Sequence, residues 1–247
     1  CDIAVAPEPR SLFVATYNST GPEVVWRSAG TTLGEFWGQV LTMDTTSNRI
    51  ILRLSPSYSR DYTIYVVEVG GDLIAVSHNR GNSWKKQHAP EPVIDMAVED
   101  EDTIYIALHN GFIQKSTDAA WTWQDDVDSG LSKINMLSVA EGGTVLVGGS
   151  NGEVAYSLDG GNTFTKIPED IGDGSVQVKD DINYKENGII YASSDKGVYR
   201  WSIGVSTTWQ QIVKESEIAS LAVGSEGTLY ALKPSEGVMR LLNPSTS

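Results

Sequence analysis

The chain has 247 residues, with 18 Lys and Arg against 32 Asp and Glu, a formal net charge of −14 at pH 7. That balance argues against nucleic acid and anionic membrane surfaces as partners, because a grip on phosphate takes clustered basic side chains. A hydrophobic content of 40% supplies a sizeable core, no apolar run approaches the ~18 residues of a spanning helix, and a single cysteine excludes an intrachain disulfide or a CxxC metal site.

In chain order, Cys1-Asp2 resembles the mature end of a bacterial lipoprotein, which makes Cys1 a candidate for lipidation and the one expected route to a membrane. The competing reading is that residue 1 is where an ordered piece of a longer chain begins. From there the sequence reads as short runs of β-branched and aromatic residues separated by Gly, Asn and Asp turns, which predicts strands. The first repeat starts at Ile3 and continues through Leu12–Tyr17, Glu23–Ser28 and Phe36–Val40. Between its second and third strands, Asn18-Ser19-Thr20 matches a glycosylation sequon in a predicted turn. The second repeat gives Ile50–Leu54, Tyr62–Val69, Asp72–Ser77 and Trp84–Gln87; the third gives Val93–Val98, Thr103–Leu108, Gly111–Ser116 and Trp123–Val127. The fourth gives Ile134–Val139, Thr144–Gly149, Glu153–Ser157 and Phe164–Ile167, and the fifth Val176–Ile182, Ile189–Ser193, Val198–Ser202 and Trp209–Val213. The sixth offers three strands, Ile218–Val223, Thr228–Leu232 and Val238–Leu242.

Four antiparallel strands in each ~40–45 residues, repeated, predict an all-β chain: a β-propeller of about six four-stranded blades. The expected blades are 1–40, 41–90, 91–128, 133–168, 175–213 and an incomplete 217–247 within a single propeller, 1–247. An unpaired strand edge at the sixth blade is an association hazard or a docking site. Either a strand donor outside the chain completes it, or these residues belong to a longer polypeptide; the second is preferred.

Each third strand runs into a recurring turn. Its clearest copies carry Ser77, Asn79, Gly81, Ser83 and Trp84; Ser116, Asp118, Thr122 and Trp123; and Ser157, Asp159, Gly161, Thr163 and Phe164. In the second of these, Ala120 takes the glycine position. A looser copy keeps Ser202, Thr208 and Trp209 with Gly204 and Ser206 in place of Asp and Gly, and another with two inserted residues runs from Ser28 to Trp37. Successive first serines lie 49, 39, 41 and 45 residues apart.

This S-x-D-x-G-x-T-W pattern resembles the Asp-box, or BNR repeat, of sialidases, sortilin-like receptors, some glucanases and photosystem assembly factors, and is closest in feel to bacterial Asp-box cell-surface proteins. The segment from Ser55 to Tyr65 resembles a linker common in such surface proteins of environmental bacteria. The residue types have a physical reason independent of function. A short acidic or amide side chain accepts backbone N–H groups, glycine permits positive φ, and the terminal aromatic packs between sheets. The boxes are therefore expected to shape the fold; the resemblance implies that they lie on the rim, away from any active centre.

Few other residues promise chemistry. Gly148-Gly149-Ser150-Asn151-Gly152 matches G-x-S-x-G, but that motif needs a strand–turn–helix and here joins two strands. His78, His88 and His109 lack metal-ligand spacing. The acidic runs 99–102 and 125–128 are read as solvated turns; were calcium bound, Asp100, Asp102, Asp126 and Asp128 would be its ligands, and no cofactor is otherwise expected. A sialidase-like site requires three arginines converging on a carboxylate, whereas Arg27, Arg200 and Arg240 sit at nearly equivalent positions of different repeats. Trp26, Trp37, Trp121 and Trp201 are candidate exposed aromatics for sugar or protein contact. The expected function is a non-catalytic extracellular or cell-envelope module contacting protein or polysaccharide, in a surface layer or larger surface assembly. A glycoside hydrolase and a photosystem-type assembly factor are the alternatives.

Overall fold

The computed structural model describes residues 2–6, 10–17, 21–31, 33–45, 49–215 and 217–246. Cys1 and the sequon at Asn18 lie outside the described residues. The chain is all-β, a six-bladed β-propeller built from antiparallel sheets. By internal contacts it divides into two compact units, one of residues up to Leu108 with Gln114–Asp125, the other of His109–Ile113 with residues from Asp126 onward.

In the first unit, blade 1 comprises β1 (Asp2–Ala6), β2 (Ser11–Thr16), β3 (Glu23–Ala29) and β4 (Gly38–Met43). Blade 2 comprises β5 (Ile50–Leu54), a one-turn helix α1 (Tyr58–Asp61), β6 (Ile64–Glu68), β7 (Leu73–Ser77) and β8 (Lys85–His88). Blade 3 begins with β9 (Asp95–Val98) and β10 (Ile104–Ala107) and is completed by β11 (Phe112–Ser116) and β12 (Val127–Asp128). In the second unit, blade 4 is β13 (Ile134–Ala140), β14 (Thr144–Gly149), β15 (Val154–Ser157) and β16 (Thr165–Lys166). Blade 5 is β17 (Gln177–Asp180), helix α2 (Tyr184–Asn187), β18 (Ile189–Ser194), β19 (Gly197–Ser202) and β20 (Gln210–Val213); blade 6 is β21 (Ser220–Val223), β22 (Leu229–Lys233) and β23 (Gly237–Leu241). Every sheet is ordered as the chain runs, by hairpins.

Strands covered on both faces carry near-continuous apolar runs, and β6, β9, β10 and β14 are buried throughout, with Glu68, Asp95 and Thr144 the polar residues at their ends. In the first unit Phe13, Ala15, Val25 and Met43 of blade 1 pack against Leu52, Ile64, Val66 and Ala75 of blade 2. On the other face of blade 1, Ile3 and Val5 are 60% and 63% exposed, beside half-buried Leu12, Val14 and Trp26. In the second unit Leu146, Val154 and Ile167 of blade 4 meet Val178, Ile190, Trp201 and Trp209 of blade 5, while Val198 and Tyr191 meet Leu221, Leu229 and Ala231 of blade 6.

Outer strands differ from expectation. Strand β4 starts at Gly38, not Phe36, because the loop from Gly30 carries Phe36 out to solvent, and β3 bulges between Val25 and Trp26. The fourth strand of blade 3 shrinks to Val127–Asp128. Tyr62 and Ile182, expected in strands, lie outside them: Tyr62 is the left-handed cap of α1, at φ 56°, and Ile182 precedes α2.

Candidate binding surface

Three boxes build the same hydrogen-bonded turn. In blade 4, the Ser157 hydroxyl donates to Asp159 Oδ1 (2.7 Å) and accepts the Gly161 N–H (2.9 Å). Asp159 Oδ1 also accepts the Thr163 N–H (2.9 Å), and Oδ2 accepts the Thr163 hydroxyl (2.6 Å). Blade 3 repeats this with Ser116, Asp118, Ala120 and Thr122. Blade 2 does so with Ser77, Asn79, Gly81 and Ser83, the Asn79 Nδ2 donating to Ser83 Oγ at 2.8 Å. The glycine position is left-handed in all three, φ 80°, 66° and 85° at Gly81, Ala120 and Gly161, so Ala120 carries strain that the other boxes avoid.

The looser copies keep less. Ser28 Oγ accepts the Gly34 N–H at 2.8 Å, as Ser77 accepts that of Gly81. Around Ser202 the turn is of another kind: its N–H donates to Ser206 Oγ and its hydroxyl to the Asn187 carbonyl. No carboxylate or amide stands two residues after Ser202 to gather the loop, and Thr208 is exposed.

The terminal aromatics join blades. Trp84 Nε1 donates to the Val40 carbonyl of blade 1 (2.7 Å), Trp123 Nε1 to the His88 carbonyl of blade 2 (3.3 Å), and Trp209 Nε1 to the Glu169 carbonyl after β16 (3.0 Å). Phe164, with no N–H, is half-buried in the corresponding place. Arginines act alike: Arg27 donates to the Arg80 carbonyl in the next blade (2.6 Å), and Arg200 to the Pro244 carbonyl after β23 (2.8 Å), while Arg240 is exposed on β23. Arg27 and Arg200 thus hold backbone of neighbouring blades.

Hydrogen bonding holds the Asp159 carboxyl down at about 2, chiefly through the Thr163 hydroxyl and N–H, and lowers that of Asp118 through Thr122 in the same way. A carboxyl acidified in the folded state stabilises the fold fully above its unfolded value near 3.9, and that contribution is lost as pH falls towards 2. Melting curves between pH 5 and 2 are therefore expected to show an acid loss of stability that is smaller in the double variant Asp118→Asn/Asp159→Asn, with the fold retained because Asn79 already serves in blade 2. Asp180 behaves oppositely. Burial pushes its carboxyl up, Lys179 opposing and Asp181 and Glu141 adding to the rise. The folded state then keeps a proton that the unfolded chain releases, and stability falls as pH rises through that window. Asp180→Asn is expected to raise Tm at pH 7 and leave it nearly unchanged at pH 3.

The acidic run 99–102 is a bend, as expected, whereas the run 125–128 is no turn: its Val127–Asp128 form β12. Asp100 Oδ1 accepts the N–H groups of Asp102 and Thr103, and Asp128 Oδ1 that of Gly130, while Asp126 is exposed. Among the described residues no three His, Cys, Asp or Glu side chains are gathered for a metal ion. Ser150 sits in the β14–β15 turn, where its Oγ accepts from Asn135 Nδ2 (3.2 Å). His78 Nδ1 lies 3.0 Å from Thr63 Oγ1, His88 Nδ1 lies 3.1 Å from Asp72 Oδ2, and His109 opens a 3-10 turn.

Two features escaped the sequence reading although their signals are present. One is a buried tyrosine at the same place in β6, β10 and β18: the Tyr65 phenol donates to the Glu101 carbonyl, Tyr105 to Glu99 and Tyr191 to Asp181. Its signal is Thr-Ile-Tyr at 63–65 and 103–105 and Ile-Ile-Tyr at 189–191. The other is the helical turn between the first two strands of blades 2 and 5. Ser55 and Asp61 bond across α1 at 2.6 Å, and Asp181 and Asn187 across α2 at 2.7 Å, with Tyr58 and Tyr184 buried at matching positions.

Two clefts open at the hairpin end of blades 2 and 3. A cleft of about 340 Å³ is lined by Ser57, Arg60, Asp61, Asp100 and Glu101, and the Asp61 and Asp100 carboxylates there already accept turn hydrogen bonds. The other, about 240 Å³, is lined by Val76, His78, Lys85, Gln87, Asp118, Ala119 and Trp121. Trp121 is 72% exposed. Trp37 is 39% exposed with its N–H on the Gly34 carbonyl, and Trp26 is half-buried with its N–H on Thr16 Oγ1. Trp201 was expected at the surface but is 7% exposed, because it packs 5.3 Å from Trp209 in the blade 4–blade 5 core.

No protein-family model matches the sequence, and no curated protein matches it. Solved structures resemble it in fold. The WD40 β-propeller domain of Doa1 superposes with a TM-score of 0.73 at 13% identity, covering 98% of this chain and 78% of that one. The Niastella koreensis GH74 enzyme gives 0.71 at 17% identity, covering 97% of this chain and 36% of that one. The computationally designed Ika8 protein gives 0.67 at 12% identity, covering 97% and 69%. At such identities the likeness establishes the β-propeller.

Proposed function

We propose that the chain is a non-catalytic binding module of the extracellular space or cell envelope, a rigid propeller contacting polysaccharide or protein within a surface layer or larger assembly. One observation carries this reading: the motif chemistry is spent inside the fold, on box turns and on joining blades, whereas Trp121 stands exposed over an open cleft. The expected lipid on Cys1 and glycan on Asn18 belong to the same proposal, and an intact mass of the native protein tests both. Against the glycosidase alternative, which needs a facing pair of carboxyl groups, two of the three acids lining the larger cleft, Asp61 and Asp100, are held by hydrogen bonds within their turns, which leaves Glu101 without a second free carboxylate to face it there. Affinity electrophoresis through gels carrying neutral or acidic polysaccharides, with a reducing-end assay on the same mixtures, is the test. Retardation without new reducing ends is expected; new reducing ends would establish a hydrolase.

A further inference from the structure

We infer that the cleft between β7–β8 of blade 2 and the box of blade 3 is a subsite for an acidic saccharide, with Trp121 as the platform on which one sugar ring stacks and Lys85 as the partner of its carboxylate. The inference rests on the polysaccharide reading above and names the chemistry of the ligand.

The first observation is that the box does not call for tryptophan at position 121. Counting five residues from each box serine, the equivalents of Trp121 are Asn82 and Asn162, both exposed, and all three turns close with the same hydrogen bonds. Packing does not call for it either, since 72% of the residue faces solvent. Trp123, two residues on, is the aromatic that bonds across to blade 2. An exposed large aromatic beside a cleft is suited to a ligand with one apolar face, and the C–H face of a pyranose ring is such a face.

The second observation is the local charge. In a chain of net charge −14, Lys85 and His78 line this cleft together with one carboxylate, Asp118, whose two oxygens are taken up inside the box by the Ser116 hydroxyl and the Thr122 N–H and hydroxyl. Lys85 and Gln87 lie two apart on β8, pairing with Val76 and Ile74 of β7, so their side chains share the face that lines the cleft. Lys85 forms no ion pair among the described residues. Arg80 sits over the Tyr62 ring at 4.0 Å and is engaged there. An ammonium at one end, the Gln87 amide beside it and an indole opposite present a carboxylate site, a hydroxyl site and a stacking surface within about 240 Å³, room for one ring.

Titration calorimetry on the full chain tests this, with tetragalacturonate, a mannuronate tetramer and a hyaluronan tetrasaccharide as probes and fully methyl-esterified tetragalacturonate as the uncharged control. At least one acidic tetramer is expected to bind, Trp121→Asn to weaken it at least tenfold with Tm unchanged, and Lys85→Gln to weaken it at least threefold. The wild-type Kd is expected to rise with salt, as exposed charge pairs require, and Lys85→Gln to flatten that dependence. Equal affinity for the methyl ester overturns the acidic class. Binding that both variants retain overturns the subsite while leaving a polysaccharide-binding module intact. If none of the acidic tetramers binds although polysaccharide gels retard the chain, the subsite falls alone; if the gels do not retard it either, the reading beneath it falls too.

Discussion

Replacing Trp209 with alanine is expected to destabilise the chain by about 3–5 kcal/mol, the usual cost of deleting a large buried aromatic. The residue is 9% exposed, packs edge-on to Tyr199 and tilted against Trp201, and ties blade 5 to the Glu169 carbonyl through its N–H. Its backbone N–H also donates to Glu169 Oε2, which survives the substitution. Trp209→Phe keeps most of the packed area and loses the indole N–H bond, so its expected cost is about 1–2 kcal/mol. Urea unfolding separates the three proteins. A Trp209→Ala chain as stable as the Trp209→Phe chain would mean that the aromatic contributes through its hydrogen bond and not through burial.

Gly152→Ala is expected to cost about 3 kcal/mol or more, because two independent penalties meet there. Gly152 has φ +80°, in the left-handed region, and a methyl group on it would lie 2.2 Å from the Gly172 carbonyl oxygen and 2.7 Å from the Gly172 nitrogen. Both obstacles are backbone, and that backbone is fixed by the Ile171 N–H donating to the Gly152 carbonyl. Gly148 is nearly as confined, its Cβ position being 2.4 Å from the Val176 carbonyl oxygen. Ser150, between them, loses one 3.2 Å hydrogen bond when changed to alanine, an expected effect of about 0.5–1 kcal/mol. The glycines therefore outweigh the serine in the stability of this turn. Thermal melts of Gly152→Ala and Ser150→Ala check that ranking, with Tm differences of about 6–12 °C and a few degrees at most for a chain of this length.

What was legible in the sequence follows from periodicity. Strand position and sheet order were readable because the inner strands are short apolar runs bounded by Gly, Asn or Asp, and because Ser77, Ser116 and Ser157 recur at nearly constant spacing. The ends of outer strands were not, since β8, β12 and β16 are largely exposed and carry no apolar pattern to mark them. Helices α1 and α2 span one turn each, too short for a 3.6-residue period to show. Trp201 and Trp121 were indistinguishable as residues. Their difference is one of place, β19 under the preceding blade's cover against the apex of a hairpin, and local sequence does not encode it. The roles of Arg27 and Arg200 were unreadable for the same reason, because their acceptors, the carbonyls of Arg80 and Pro244, lie 53 and 44 residues away.

On the proposed function, the binding surface lies on the exposed hairpins of blades 2 and 3, while the motif residues elsewhere hold the fold. Amide hydrogen exchange, compared with and without a saturating acidic tetrasaccharide, addresses it most directly. Protection confined to peptides covering 76–88 and 117–123, lost in Trp121→Asn, is the predicted result. Protection centred on 134–213, or on the segment around Asp61 and Asp100, would contradict the account and move the site elsewhere.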